Sequence, residues 1–335
     1  MHGPLPLRQF ALPMLLILAG IVVPFFGNNY FLFLSNQLMV YAILALGLDL
    51  LIGRSGQFAF SHIAFFAMGA FGTVVFQTRL GLPYPVALLL AITLAAATGA
   101  LVALPSTRMR SINLALATFA FGEAAQWVVN TWDSVTGGPN GLRIPAPSIF
   151  GLPSGTDASA FPVVAVVLAV TIMATQYLMR SRFGRALAAI RESEPIAQTS
   201  GIDVRKMKVW AFVISATYAA IAGGLMTLYQ SFINAELFGF SQLVIVLTMV
   251  VVGGIGTIPG VLIGVVVIGL LPEAMTYAMR DVLLFQEIVY GTILLGFMMF
   301  MPAGIWGVLH GLGRPRKPAG KPATGIQETQ GPAPR

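Results

Sequence analysis

The sequence predicts an all-α, polytopic membrane protein of about ten transmembrane helices, with helices broken near 53–61 and 253–260. Three observations predict it. Only 9% of the 335 residues are charged, against about 25% in a soluble domain, while 57% are hydrophobic. Apolar runs of about 20 residues, the length a helix needs to cross the hydrocarbon core, recur along the chain. Lys and Arg gather between those runs, most densely at 180–208.

Taken in order, the runs lie near 9–27, 30–53, 57–78, 83–104, 111–131, 160–180, 208–230, 240–256, 258–279 and 282–302. The first follows a single Arg8 and has no small-residue cleavage site before Asn28, so it reads as a retained helix and not a signal peptide. The runs at 30–78 and 240–279 continue through Gly-rich breaks, which leaves open a count of eight with re-entrant pieces. With ten spans and the 180–208 stretch cytoplasmic, 16 of the 19 Lys and Arg fall inside, and Arg79, Arg143 and Arg280 outside. The positive-inside rule then places both termini in the cytoplasm. The net charge of +7 is thus accounted for by orientation and anionic lipid, with no need of nucleic acid.

These runs form one membrane domain, 1–312, with an outward loop at 132–159 and a cytoplasmic loop at 180–208. The outward loop is dominated by Gly and Pro, with Trp132, Ile144 and Phe150 interspersed; it is a partner-facing cap or a plain connection. Residues 313–335 are rich in Pro, Gly, Ala and basic residues with little apolar content, a composition that predicts a disordered cytoplasmic tail. Rows of small residues, Ala216-Ala220-Gly224 and Gly256-Gly260-Gly264, let helices approach closely, and imply a compact bundle with a partner helix from another subunit.

The chain is organised around 180–208. Seven basic residues, Arg180, Arg182, Arg185, Arg191, Arg205, Lys206 and Lys208, meet Glu192, Glu194 and Asp203 there. Ser193 is placed to cap a short helix whose first turn holds Glu194 and Pro195, both suited to that position. The helix runs through Ile196 and Ala197 to Ser200, and Gly201 supplies a left-handed stop. An ordinary Arg-rich loop would need no cap, no stop and no defined length, so the order of residues favours a docking element.

Two breaks stand apart from ordinary loops. One contains Gly53, Arg54, Ser55, Gly56, Gln57, Ser61 and His62; the other contains Gly253, Gly254, Gly256 and Pro259. Interrupted helices point to a transport route, because freed backbone groups survive only beside protein or water. Asn36-Gln37-Leu38 and Ser241-Gln242-Leu243 precede them at differing offsets, which suggests an internal repeat without establishing one. Among intramembrane acids, Asp49 pairs best with Arg54, while Glu123 serves either a structural bond or a polar path. His62, with no chain of acids beside it, reads as a hydrogen-bonded core residue.

Reaction chemistry is not found. No Lys follows the Gly-x4-Gly-Lys-Ser/Thr pattern, so no phosphate loop exists to hydrolyse ATP. The three His, His2, His62 and His310, have no metal-ligand spacing, and the chain has no Cys. Neither a metal nor a cofactor is expected, and the chain does not read as an enzyme.

Several ordered blocks resemble branched-chain amino acid ABC-transporter permeases. They are Gly53-Arg54-Ser55-Gly56-Gln57 with Ser61-His62, Thr118-Phe119-Ala120-Phe121-Gly122-Glu123, Ser181 to Leu187, Ala189-Ile190-Arg191-Glu192, Gly201-Ile202, Gly253-Gly254-Ile255-Gly256 and Leu271-Pro272-Glu273. Together they span about 36–306 and are most similar to the LivM-like subtype, which pairs with a LivH-like permease. The resemblance implies a multi-pass protein of the bacterial inner membrane. Its partners would be that second permease, two ATP-binding cassette ATPases, and a periplasmic or lipid-anchored substrate-binding protein. It implies uptake of branched-chain amino acids by alternating access, with Arg191, Glu192, Glu194, Pro195, Ile196, Ala197 and Gly201 coupling to the ATPases. The translocation pathway would pass Gln57, Ser61, His62, Thr118, Glu123, Gly253 and Gly254. Pro195-Ile196-Ala197 stands where the related loop of other permeases has Glu-Ala-Ala. Urea or short amides as cargo, and an ion-coupled secondary transporter, are the competing readings.

Overall fold

The computed structural model describes residues 28–106, 109, 111–145, 148, 149, 152, 153, 156–273 and 304–311, with isolated positions 14, 18, 22, 291, 292, 295, 296 and 299. The expected spans at 9–27 and 282–302 lie mostly outside these residues, and the tail at 313–335 wholly so. Six described helices are long and apolar enough to cross a membrane. They are α1 (Asn29–Asp49, prolonged by a π-helical turn at Leu50–Arg54), α2 (His62–Leu80), α3 (Tyr84–Ser106), α4 (Ser111–Thr131), α5 (Asp157–Arg180) and, after two short helices, α8 (Val204–Met226). The short pair is α6 (Arg182–Glu192) and α7 (Glu194–Thr199). The shorter apolar helices α9 (Phe240–Gly253) and α10 (Ile258–Gly269) and the terminal α11 (Gly304–Gly311) follow. The chain is a multi-pass, all-α membrane protein, as its apolar runs predict.

Helices α1, α2 and α8 form the centre. The second half of α1 and its π turn are buried on every side, from Ala42 to Ile52, because all the neighbours there are helices of the same chain. Close approach depends on small residues. A Cβ on Gly69 of α2 would lie 2.2 Å from the Ala220 carbonyl oxygen of α8, and one on Gly264 would lie 1.9 Å from the Met249 carbonyl oxygen. The rows expected to meet a partner subunit's helix are therefore filled inside the chain: Ala216 and Ala220 against α3 and α2, Gly260 and Gly264 against α9. Backbone contact this close leaves no space for a further helix on those faces.

At one end the 132–159 connection is more than a plain loop. Its strand β1 (Leu142–Arg143) pairs antiparallel with β4 (Phe232–Ile233), and the Ile144 N–H donates to the Ser231 carbonyl at 3.1 Å. A two-residue hairpin, β2 (Ser148–Ile149) with β3 (Leu152–Pro153), lies between them in sequence. Phe238 plugs this end from below, with ring centroids 5.1 Å from Phe66 and 5.5 Å from Phe71. The charged stretch and the start of both helix breaks lie at the opposite end, where α1, α5 and α9 finish and α8 and α10 begin; α2 begins deeper in the bundle, with His62 beside Leu44 and Ser215.

Candidate functional site

The charged stretch folds as two helices. Ser181 opens α6, its hydroxyl accepting from the N–H groups of Phe183 (3.1 Å) and Gly184 (3.5 Å). Gly184, Leu187 and Ile190 turn one face of α6 inward, while Arg182 and Arg185 remain on the other side. Sequence reasoning missed this helix, although Ser181 followed by apolar residues at 183, 187 and 190 carries the signal.

The second helix, α7, ends at Thr199, one residue short of the expected Ser200. Ser193 occupies the cap position, yet its hydroxyl makes no cap bond; only its carbonyl is used, accepting from the Ala197 N–H at 3.0 Å. Acid is supplied instead by Glu194, whose carboxylate pairs with the ammonium of Lys208 on α8. The stop is as expected: Gly201 takes φ +80°, and the Ile202 N–H returns to the Ala197 carbonyl at 3.1 Å. Ala197 is buried, whereas Glu194, Pro195 and Ile196 are exposed. Asp203 then caps α8 through the Lys206 N–H at 3.1 Å, and that bond holds its carboxyl below the ordinary aspartate value.

The first break starts later than the glycines indicate. The chain stays helical through Gly53 as a π turn, and Ser55 closes it by donating to the Leu51 carbonyl at 2.8 Å. The segment then turns back into the bundle. The Gln57 N–H donates to the Leu51 carbonyl at 3.0 Å, and the Phe60 N–H to Thr118 Oγ1 of α4, also at 3.0 Å. His62 is held at both ring nitrogens: Nε2 lies 2.9 Å from the Leu44 carbonyl and Nδ1 3.0 Å from Ser215 Oγ. It is a hydrogen-bonded core residue, with both nitrogens occupied.

The second break is four residues long, Gly254 to Thr257, with φ of +128° at Gly254 and +82° at Gly256. Pro259 then sits in the first turn of α10. The two breaks meet. Asp49 Oδ1, at the end of α1, accepts the Gly256 N–H at 2.6 Å, and Asp49 also lies 4.0 Å from Arg54 Nε. From α6, Arg191 reaches the same point and donates to the Gly53 carbonyl. A cavity of about 300 Å³ lined by Gly53, Arg54, Ala188, Arg191 and Glu192 adjoins it.

Of the expected pathway residues, Gln57, Ser61, His62, Thr118, Gly253 and Gly254 are buried within the chain. Glu123 differs: it lies midway along α4 on an exposed face and forms no ion pair among the described residues.

The geometry is that of a membrane bundle with a polar appendage anchored on two helix breaks, and comparison supplies its family. Residues 30–301 match the family described as the permease component of the branched-chain amino acid transport system. The chain belongs to this family. Relatives of the permease include the LivM high-affinity branched-chain amino acid permease of Escherichia coli, 30% identical over 89% of this chain and 75% of that protein. The LivM protein of Salmonella typhimurium is 29% identical over the same shares. The LivH permease of Escherichia coli is 27% identical over 80% of this chain and 91% of its own. No solved structure matches the chain. The permease is accordingly a transport component and not an enzyme.

Proposed function

We propose that this permease is one half of the translocation unit of an ABC importer for branched-chain amino acids. A LivH-like permease forms the other half, two ATPases dock at the charged end, and a binding protein delivers substrate at the strapped end. The charged end then faces the cytoplasm of a bacterial inner-membrane protein. The observation that carries the reading is α7: a short helix of defined length, stopped at Gly201, with Ile196 exposed beyond the bundle and Ala197 packed beneath it. An apolar side chain held outward on a polar helix suits a protein partner better than water. The contact surface is Glu192, Glu194, Pro195, Ile196 and Gly201, with Ala197 setting its height.

For the route, Glu123 marks the face of α4 that meets the second permease. A charge facing lipid at the bilayer centre costs about 2.5–3.5 kcal/mol, so such residues face protein or water. Thr118 lies on the same helix and Ser61 behind it, beside Gly122, and the route continues past Gln57, His62, Gly253 and Gly254. The test is leucine uptake by proteoliposomes holding both permeases, the ATPases and the binding protein. Deleting Glu194–Ser200 should abolish uptake while leaving membrane insertion intact. Uptake that survives the deletion, or that proceeds without the ATPases, would refute the reading. Uptake of urea in place of leucine would keep the architecture and change the cargo.

A further inference from the structure

We infer that Arg191 is the positioning residue through which movement of the docking helices reaches both helix breaks, and not itself an ATPase contact. The inference rests on the ATPase-coupled reading above. Although Arg191 is exposed on α6, its guanidinium reaches into the bundle. It donates to the Gly53 carbonyl, the last part of α1 before the chain breaks. Its stem crosses Gly56, where an added Cβ would meet Arg191 Cγ at 3.5 Å. Its head also borders the second break: a Cβ on Gly256 would lie 3.1 Å from Arg191 Nη1 and 3.2 Å from the Gly53 carbonyl oxygen. One side chain thus lies against three glycines from two breaks, and Asp49 joins those breaks from behind through the Gly256 N–H.

The connections make this a transmission point. Helix α6 follows α5 directly and leads into α7, so a push on α7 displaces α6 first. Among the described side chains, Arg191 is the one on α6 that hydrogen-bonds the first break. The adjoining cavity of about 300 Å³ leaves room for the head to swing without unpacking Leu187 or Ile190, both fully buried. A hydrogen bond from a charged donor is strong enough to bias two arrangements of a break about tenfold or more.

The experiment uses the complete complex in proteoliposomes, measuring leucine uptake and leucine-stimulated ATP hydrolysis together. For Arg191→Gln, hydrolysis stays within about twofold of the parent while uptake falls about tenfold or more, so ATP consumed per leucine rises accordingly. Arg191→Lys recovers part of the uptake, since an ammonium still donates to a carbonyl but lacks the planar fork. Ile196→Glu, on the docking face, lowers hydrolysis and uptake together. A parallel fall in Arg191→Gln, or unchanged uptake, overturns the inference. If the parent complex moves no leucine, the transport reading fails instead. The link is then read from amide exchange at 254–257 in the purified chain, where Arg191→Gln accelerates exchange about tenfold and unchanged exchange overturns it.

Discussion

Helices α3 and α4 are the two spans that the rest of the chain covers least, with 28% and 17% of their apolar stretches buried, against 50% to 67% for the other four. What they leave uncovered is very different. On α3 the exposed residues are mainly Val86, Leu89, Leu90, Leu94, Leu101 and Leu104, and the exposed Thr93 returns its hydroxyl to the Leu90 carbonyl at 2.8 Å. On α4 they include Asn113, Glu123, Trp127 and Asn130. Exposure in one chain can thus have two physical meanings: hydrocarbon suits the first face, whereas the Glu123 carboxylate, among apolar residues such as Ile112 and Leu116 on the second, calls for protein or water. On the proposed reading the first is a lipid-facing wall and the second meets the partner permease.

The largest effect should follow from exchanging the two chemistries. Leu94→Glu places midway along α3, as Glu123 is midway along α4, the group that α4 already carries. A cost of about 2.5–3.5 kcal/mol is expected, read as a loss of about tenfold or more in correctly inserted protein. Insertion at the parent level would show that α3 is covered by something other than lipid. Next comes the covered side of α3, a stripe of Ala87, Ala91, Ala95, Gly99 and Ala103 pressed on the bundle. A Cβ on Gly99 would lie 2.7 Å from Ala216 Cβ, so Gly99→Ala should lower thermal stability in detergent by about 1–3 kcal/mol. The matching change on α4, Gly122→Ala, meets the Phe60 carbonyl oxygen at 3.4 Å and Ser61 Cα at 3.9 Å, and should change stability by less than about 1 kcal/mol. Similar losses at both positions would mean that α4 packs on the bundle as tightly as α3.

Much of this architecture is legible in the sequence. The α4 run at 111–131 coincides with the helix, since an apolar stretch between charged or turn-forming ends has few other solutions in lipid. The stop at Gly201 is legible because a left-handed residue favours glycine. Other features are not. Ser193 has the right identity for a cap, but Lys208, 14 residues beyond Glu194, attracts the Glu194 carboxylate, and such pairing is invisible to local rules. Gly53 reads as a helix breaker, yet the neighbouring Ser55 lets the chain continue as a π turn. Arg191 reaches a carbonyl 138 residues away, and Asp49 an amide 207 away; only the folded bundle brings these together. The α3 stripe is the reverse case, a regular four-residue spacing open to view in the sequence whose meaning emerges only once Ala216 is seen against it.

The finest distinction between α3 and α4 is hydration, and the chain is suited to measuring it because it contains no cysteine. Single replacements Leu94→Cys and Glu123→Cys introduce one thiol near the middle of each helix. A maleimide reacts with the thiolate, and hydrocarbon raises a thiol's pKa by more than about one unit, cutting the thiolate population about tenfold. In the assembled complex Glu123→Cys should therefore label about tenfold faster than Leu94→Cys with a membrane-impermeant reagent. Loaded binding protein should change the first rate and leave the second alone, because a transport route alters its water content during turnover and lipid does not. Equal, slow labelling at both positions would place α4 in lipid or in a dry interface, and the route would then have to pass elsewhere.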